Sequence, residues 1–282
     1  MSRFPQTQIE GISVPRMIVG TNWFLGYSHT SLAKDTLIKS TMQRKQIADI
    51  LEVYFRAGVN AVLGVRTDAP HLNDAIRDAE DRCGCECVRI ATPTLNIRDG
   101  QAALDESQRI IEAHARIGTH ICMPHQCTTD ALVDRRLRRI TGMERYLAMI
   151  RQHGMVPGLS THMPETPIYA DETDLDVATY IQIYNAVGFL MQIEVDWVHR
   201  MIWQRRRPVI TIKPMAAGRL IPLVGMAFVW ATLRDIDMVC VGTYTPDEAR
   251  ELIDISVSLL ERRSPTVALQ KTRSKESVLA AT

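Results

Sequence analysis

Short apolar runs rich in β-branched residues alternate along this chain with amphipathic segments of helical period. The runs fall at 16–22, 59–65, 87–94, 119–125, 155–161, 189–196, 209–213 and 237–242. Helical patterns follow at 43–58, 71–82, 100–118, 129–153, 174–188 and 198–207, and after each of the last two runs. Gly58 and Gly118 stop the first and third helices. The fourth carries an internal break where Thr141 and Glu144 form a capping box. Eight alternating strand–helix units predict a closed α/β (β/α)8 TIM barrel. It occupies residues 1–263 as a single domain, and a polar, patternless tail at 264–282 is expected to be loosely held. The connection from Trp23 to Met42 is too long for a simple link and is placed to cover the barrel mouth.

Composition narrows the function classes. The chain has 282 residues, 46% hydrophobic and 23% charged, as in ordinary globular proteins. A net charge of +1 offers no basic surface for nucleic acid or anionic membrane. Arginines bunch at 135–139 and 205–207, both on expected amphipathic helices, where a solvated outer face is the plain reading. No run of about 18 apolar residues is present and the N-terminal stretch lacks a signal core, so no membrane span is expected and the cytoplasm is the expected compartment. Six cysteines in a chain this long do not form a disulfide framework; the alternating 83–87 cluster lacks zinc-site spacing, and of the close group Cys122, His125 and Cys127, Cys122 falls inside the fourth strand.

Strand C-termini converge on the mouth of such a barrel, and the active site forms there. That rule gathers Asn22, Trp23, Tyr27 and His29 after strand one, Asp68 after strand two, His125 after strand four, His162 after strand five, Gln192 and Glu194 on strand six, and Lys213 at the end of strand seven. His125, His162, Glu194, Lys213 and Asp68 are the candidate catalytic groups. His125, His162 and Glu194 could bind a divalent metal, or orient an organic substrate as hydrogen-bonded side chains. Lys213 could form a Schiff base or pair with an anion. His114, His120, His153 and His199 fall away from the mouth and read as structural.

The last two units add a candidate anion site. Gly218 and Arg219 follow strand seven; Gly242, Thr243 and Tyr244 follow strand eight. Thr245, Pro246 and Glu248 then start a helix with a capping box, and helix starts and such loops hold phosphates in many barrels. The alternative is a pair of ordinary βα loops.

The segments "GLSTHMPE", "MQIEVD", "KPMAAGRL" and "VCVGTYTPDEARELI" resemble strands five to eight of the aldo-keto reductase superfamily, and "ISVPRMIVGTNW" is similar to its opening. The resemblance implies a nicotinamide bound near strand five, with Gln192 on strand six and the dinucleotide phosphates at the last two loops. It also implies an Asp, Tyr, Lys and His tetrad. This chain departs from that tetrad: Leu63 stands near the Asp position, Thr67 or Asp68 near the Tyr position, and Pro93 near the Lys position. His125 matches the His, and Thr161 replaces the strand-five Asn. Without the Tyr–Lys pair, the first expectation is non-redox acid–base or metal-assisted chemistry (lyase, isomerase or hydrolase) on a small polar, anionic or sugar-like molecule. The alternatives are an NADP-dependent reductase with a rearranged acid, His125 or Tyr27, and a non-catalytic ligand-binding barrel. The expected partner is a small molecule, with oligomerisation left open.

Overall fold

The computed structural model describes residues 4–266. The tail expected to be loose lies outside the described residues from 267 onward. Eight parallel strands form a barrel: β1 Met17–Gly20, β2 Ala61–Val65, β3 Val88–Ala91, β4 Ile121–Cys122, β5 in two pieces, Val156–Pro157 and Leu159–Ser160, β6 Tyr180–Ile183, β7 Val209–Ile212 and β8 Met238–Val241. Each pairs with its neighbours in sequence, and β8 pairs with β1. The ring closes through β5, whose first piece pairs with β4 and whose second pairs with β6.

The helices are α1 Arg44–Arg56, α2 Pro70–Cys83, α3 Gln101–Arg116, α4 Glu144–Gln152, α5 Thr166–Glu172, α6 Val195–Gln204, α7 Pro222–Thr232 and α8 Pro246–Leu260. Their apolar stripes face the sheet. In α1, Ile47, Ile50, Leu51 and Tyr54 recur at helical spacing and are all buried. Inside the ring, alternate strand residues make a second core that includes Ile18, Ile90, Ile121, Ile181, Ile210 and Met238. An N-terminal hairpin, Gln6–Ile9 with Ile12–Pro15, packs Ile9 and Val14 into that inner core. Its two-residue turn, Glu10–Gly11, has both residues in the left-handed region, the geometry a tight hairpin requires. The sequence pattern left this hairpin unassigned.

Four expectations are corrected. The sixth strand is Tyr180–Ile183, within the segment read as a helix, while 189–196 forms a loop and the start of α6. Tyr180 and Tyr184 join the outer core and Ile181 the inner one, so the segment is apolar on both faces and its period does not separate strand from helix. Asn185 closes the loop, accepting from the Phe189 N–H at 2.8 Å and donating to the Phe189 carbonyl at 3.0 Å.

The long fourth helix is also absent. Residues 133–140 form a small hairpin, Val133–Asp134 with Arg139–Ile140, and only Glu144–Gln152 is helical. Asp134 accepts from the N–H groups of Arg136 and Leu137, which turns the arginine-rich stretch instead of coiling it. The Thr141–Glu144 capping box does not form, since Met143 holds the N-cap position. The second arginine cluster is not a solvated helix face: Arg205 and Arg207 reach Asp171 of α5 at 3.0 and 2.7 Å, and the Arg205 side chain is 8% exposed. Among the described residues, no helix is long and apolar enough to cross a membrane.

Gly158 makes the closure of β5 possible. A Cβ there would stand 2.8 Å from both the Thr179 carbonyl oxygen and the Met123 side chain. Gly158→Ala is expected to destabilise the fold by about 1–3 kcal/mol through overpacking against backbone, read as a lower urea midpoint; an unchanged midpoint would contradict this close approach.

Candidate active site

A cavity of about 240 Å³ opens at the C-terminal ends of the strands. Its floor is made by inward-facing residues of successive strands: Leu63, Thr92, Ser160, Ile181, Ile212 and Cys240. Its rim carries Asn22, Trp23, Tyr27 and His29 from the connection after β1, His125 after β4, His162 after β5, and Lys213 after β7. That connection is not an open loop. It folds into short helices at Asn22–Leu25 and Leu32–Thr41, the second started by Ser31, whose hydroxyl accepts from the Lys34 N–H. Thr41 hydrogen-bonds the Tyr244 hydroxyl, and Lys34 lies over the rings of Trp23 and Tyr244 at 5.7 and 5.6 Å. The segment is thereby tied across the mouth to the loop after β8.

His125, His162 and Lys213 therefore meet as the sequence suggested, and His29, which the strand-end rule also placed at the mouth, joins them as a fourth basic group. The Lys213 Nζ lies 3.1 Å from His29 Nε2, and Asn22 Nδ2 approaches the same nitrogen at 3.2 Å. Both neighbours are donors, so Nε2 carries the lone pair and Nδ1 the proton. His125 has the opposite tautomer. Its Nδ1 accepts from the Cys127 N–H at 3.3 Å, which leaves Nε2–H as a donor. Asp130 fixes the backbone at His162, accepting from the His162 N–H at 3.1 Å and from the Thr161 hydroxyl.

No carboxylate lines the cavity. Burial and the Lys213, His125 and His29 charges press the His162 imidazole down to about 4. Burial, then Lys213, lowers His29; burial, then Arg66, lowers His125; burial also lowers Lys213. Burial pushes the Cys240 thiol up to about 12, so it stays protonated. Lys213, Ala216 and Ala217 have φ of 63°, 50° and 54°, and His29 has φ of 58°. Four non-glycine residues in the left-handed region at one mouth are a concentration of backbone strain of the kind functional sites hold.

Other candidates fall elsewhere. Asp68 is exposed and paired with Arg66 at 2.6 Å, outside the cavity. Gln192 and Glu194 are exposed, because strand six lies elsewhere; Glu194 is the residue before α6. The metal triad of His125, His162 and Glu194 is thus not assembled, and among the described residues no three His, Cys, Asp or Glu side chains form a metal-holding group. Gly218 and Gly242 do line the cavity. Arg219 lies 4.0 Å from the Phe189 ring centroid and donates to the Ala216 carbonyl. Thr243 is buried against the Tyr54 hydroxyl, and Tyr244 faces Trp23 and Thr41. At α8 the Thr245 half of the expected capping box forms, Thr245 accepting from the Glu248 N–H, while Glu248 accepts from the Tyr244 N–H, one residue before the N-cap, at 2.6 Å. That start carries its own carboxylate at the Tyr244 N–H, with Asp247 beside it, and both negative charges oppose an incoming anion. His29 was within reach of the sequence as a polar residue just after strand one, but nothing in its spacing pairs it with Lys213, 184 positions away.

Removing the Lys213 charge should free His162 to protonate more easily. In Lys213→Met, the His162 imidazole pKa, followed by NMR, is expected to rise by roughly one unit, while burial still holds it below 6.5. An unmoved value would show that the two groups do not share the cavity.

No protein-family model matches this sequence, and no curated protein matches it. Solved structures do resemble it. A Pseudomonas aeruginosa protein described as an aldo-keto reductase aligns over 92% of this chain and 99% of its own, with TM-score 0.66 and 16% identity. An aldo-keto reductase of the silkworm Bombyx mori aligns over 99% of this chain and 87% of its own, with TM-score 0.61 and 12% identity. A Klebsiella pneumoniae aldo/keto reductase, solved with NADP and acetate, aligns over 98% and 95%, with TM-score 0.55 and 16% identity. In strand order, closure and extent, this chain has the (β/α)8 barrel fold of the aldo-keto reductases.

Proposed function

We propose that this barrel is a nicotinamide-dependent oxidoreductase acting on a small carbonyl compound that carries a negative charge. The observation that carries the reading is the charge imbalance of the cavity. Lys213 and three imidazoles face it with no carboxylate among its lining residues. A half-buried ammonium without a counter-charge is costly, and an anionic substrate offsets that cost. Acetate in the Klebsiella neighbour's complex is an anion of the same class.

The residues present are compatible with the cofactor that the fold implies. Trp23, Ile212 and Pro214 offer an apolar wall for a ring, and Ser160 offers a hydroxyl beside it. Gly218 has nothing within 4 Å of its absent side chain, and Arg219 follows it with a charge for phosphate. The self-capped start of α8 takes no part. The chemistry a bound nicotinamide would supply is hydride transfer to or from the carbonyl carbon. The chain's own task is to hold the carboxylate and move the proton. Lys213 and Asn22 bind the anionic end. The His125 Nε2–H donates to the carbonyl oxygen, which orients it. Tyr27 stands at the rim with Lys39 5.6 Å from its ring centroid and Arg66 close enough to act on it electrostatically, and it supplies the proton.

This reading replaces non-redox chemistry as the first choice, because the fold likeness is to oxidoreductases and the metal triad is not assembled. A second reading is proton transfer on the same anions without a hydride. It draws on the two imidazoles of unlike state: His125 as donor and His162, pressed to about 4, as a neutral base at pH 7.

Tyr27→Phe is expected to lower carbonyl reduction by roughly 10²-fold while leaving the quenching of Trp23 fluorescence by NADH or NADPH in place. Absence of saturable quenching by either dinucleotide would remove the oxidoreductase reading. Turnover of a keto acid without dinucleotide, abolished by His162→Ala, would establish the second.

A further inference from the structure

The Lys213–His29 pair has the arrangement of an amine held beside its own base. The two nitrogens are 3.1 Å apart, His29 Nε2 is the acceptor, and the pair borders a cavity that contains no carboxylate. An ammonium paired with a carboxylate keeps its proton; one facing a neutral imidazole can pass the proton across and become a nucleophile. Ile212 and Pro214 flank Lys213 in the chain, and Cys240 and Met215 add further apolar cavity wall. The left-handed backbone at Lys213, φ 63°, departs from the strand just before this side chain, and the Ala216 and Ala217 turn behind it shares that strained geometry.

We propose that Lys213 captures small carbonyl acids, 2-oxo acids or aldehyde acids, as a covalent imine, with His29 as the proton acceptor and donor. The proposal rests on the reading of the cavity as a site for anionic carbonyl compounds and adds a covalent activity to it. The Lys213 ammonium gives one proton to His29 Nε2. The free amine attacks the carbonyl carbon, a C–N bond forms, the carbonyl π pair moves to oxygen, and one of the attacking nitrogen's protons passes to that oxygen to give the neutral carbinolamine. Return of the proton from His29 lets that oxygen leave as water while the nitrogen lone pair closes the C=N bond. The balance is one ammonium plus one carbonyl giving one protonated imine plus one water, with no oxidant or reductant. Asn22, which approaches His29 Nε2 at 3.2 Å, holds the ring in register, and the His125 Nε2–H serves as a hydrogen-bond donor to the oxygen without giving up its proton. The lowering of Lys213 by burial accords with this role. A protonated imine withdraws electrons from the adjacent carbon, so the site would labilise a neighbouring C–H or C–carboxylate bond without any metal.

The test uses the full chain with glyoxylate, which joins an aldehyde to a carboxylate, and cyanoborohydride to reduce any imine, with no nicotinamide present. Peptide mapping by mass spectrometry is expected to find carboxymethylated Lys213 forming at least about tenfold faster than the same product on Lys34, Lys39 or Lys45. Excess acetate should suppress the Lys213 product selectively, and His29→Gln should slow it while the three surface lysines react unchanged. Trp23 fluorescence with glyoxylate alone is read in parallel. A fluorescence response with Lys213 labelled no faster than the surface lysines overturns the imine and leaves the anionic-carbonyl cavity standing. Neither a response nor selective labelling overturns both.

Discussion

Closure of the parallel sheet is the constraint from which the rest of this molecule follows. With β5 joined to β4 on one side and β6 on the other, no strand edge remains, and side chains of each strand alternate between the inner core and the helix layer. Closure depends on the missing side chain at Gly158, where Thr179 and Met123 leave no room for a Cβ. The hairpin at Gln6–Pro15 adds Ile9 and Val14 to the inner core, so the interior is packed solid and the space that can take a ligand lies at the opposite, C-terminal end.

Once the ring is closed, the alternation itself selects the floor of that space. Leu63, Thr92, Ser160, Ile181, Ile212 and Cys240 reach it because they are the last inward positions of their strands. None is acidic. The basic groups arrive from residues just past the strand ends and from the connection after β1, which Thr41, Lys34 and Tyr244 tie across the mouth. The result is a cavity lined by bases and an ammonium, with no carboxylate among its described lining residues, although Asp35 acts on His29 from outside that lining. That imbalance ties the structural account to the chemical one, since a negative ligand is what the cavity lacks.

The corrections share a physical cause. Segment 174–188 resembled a helix because its residues are apolar on both faces, and only the demand of the ring for a strand between β5 and β7 makes Tyr180–Ile183 extended. Placing strand six there moves Gln192 and Glu194 out of the mouth, which dissolves the metal triad and leaves Gln182 as the glutamine inside the strand. The arginine stretch at 135–139 has helical composition, but the Asp134 side chain caps a turn instead, and Arg135 and Arg138 then pair with Glu165, the N-cap of α5, and Glu172 within it. At α8 Thr245 caps the helix as its local sequence predicts, and the Glu248 carboxylate reaches back to the Tyr244 N–H, so a negative charge already sits at that helix start.

The sequence by itself determined the alternating plan, seven of the eight barrel strands in outline, the caps at Gly58, Gly118 and Thr245, and the arrival of His125, His162 and Lys213 at one mouth. These depend on local period, local turn chemistry and a rule about strand ends, all of which are written in consecutive residues. The tertiary structure alone decided the place of strand six, the pairing of Lys213 with His29, the tautomers of His29 and His125, and the exclusion of Asp68 and Glu194 from the cavity. Each of these is a distance between residues far apart in the chain, or a choice between two states that only a spatial neighbour can bias, and no spacing within the sequence encodes it.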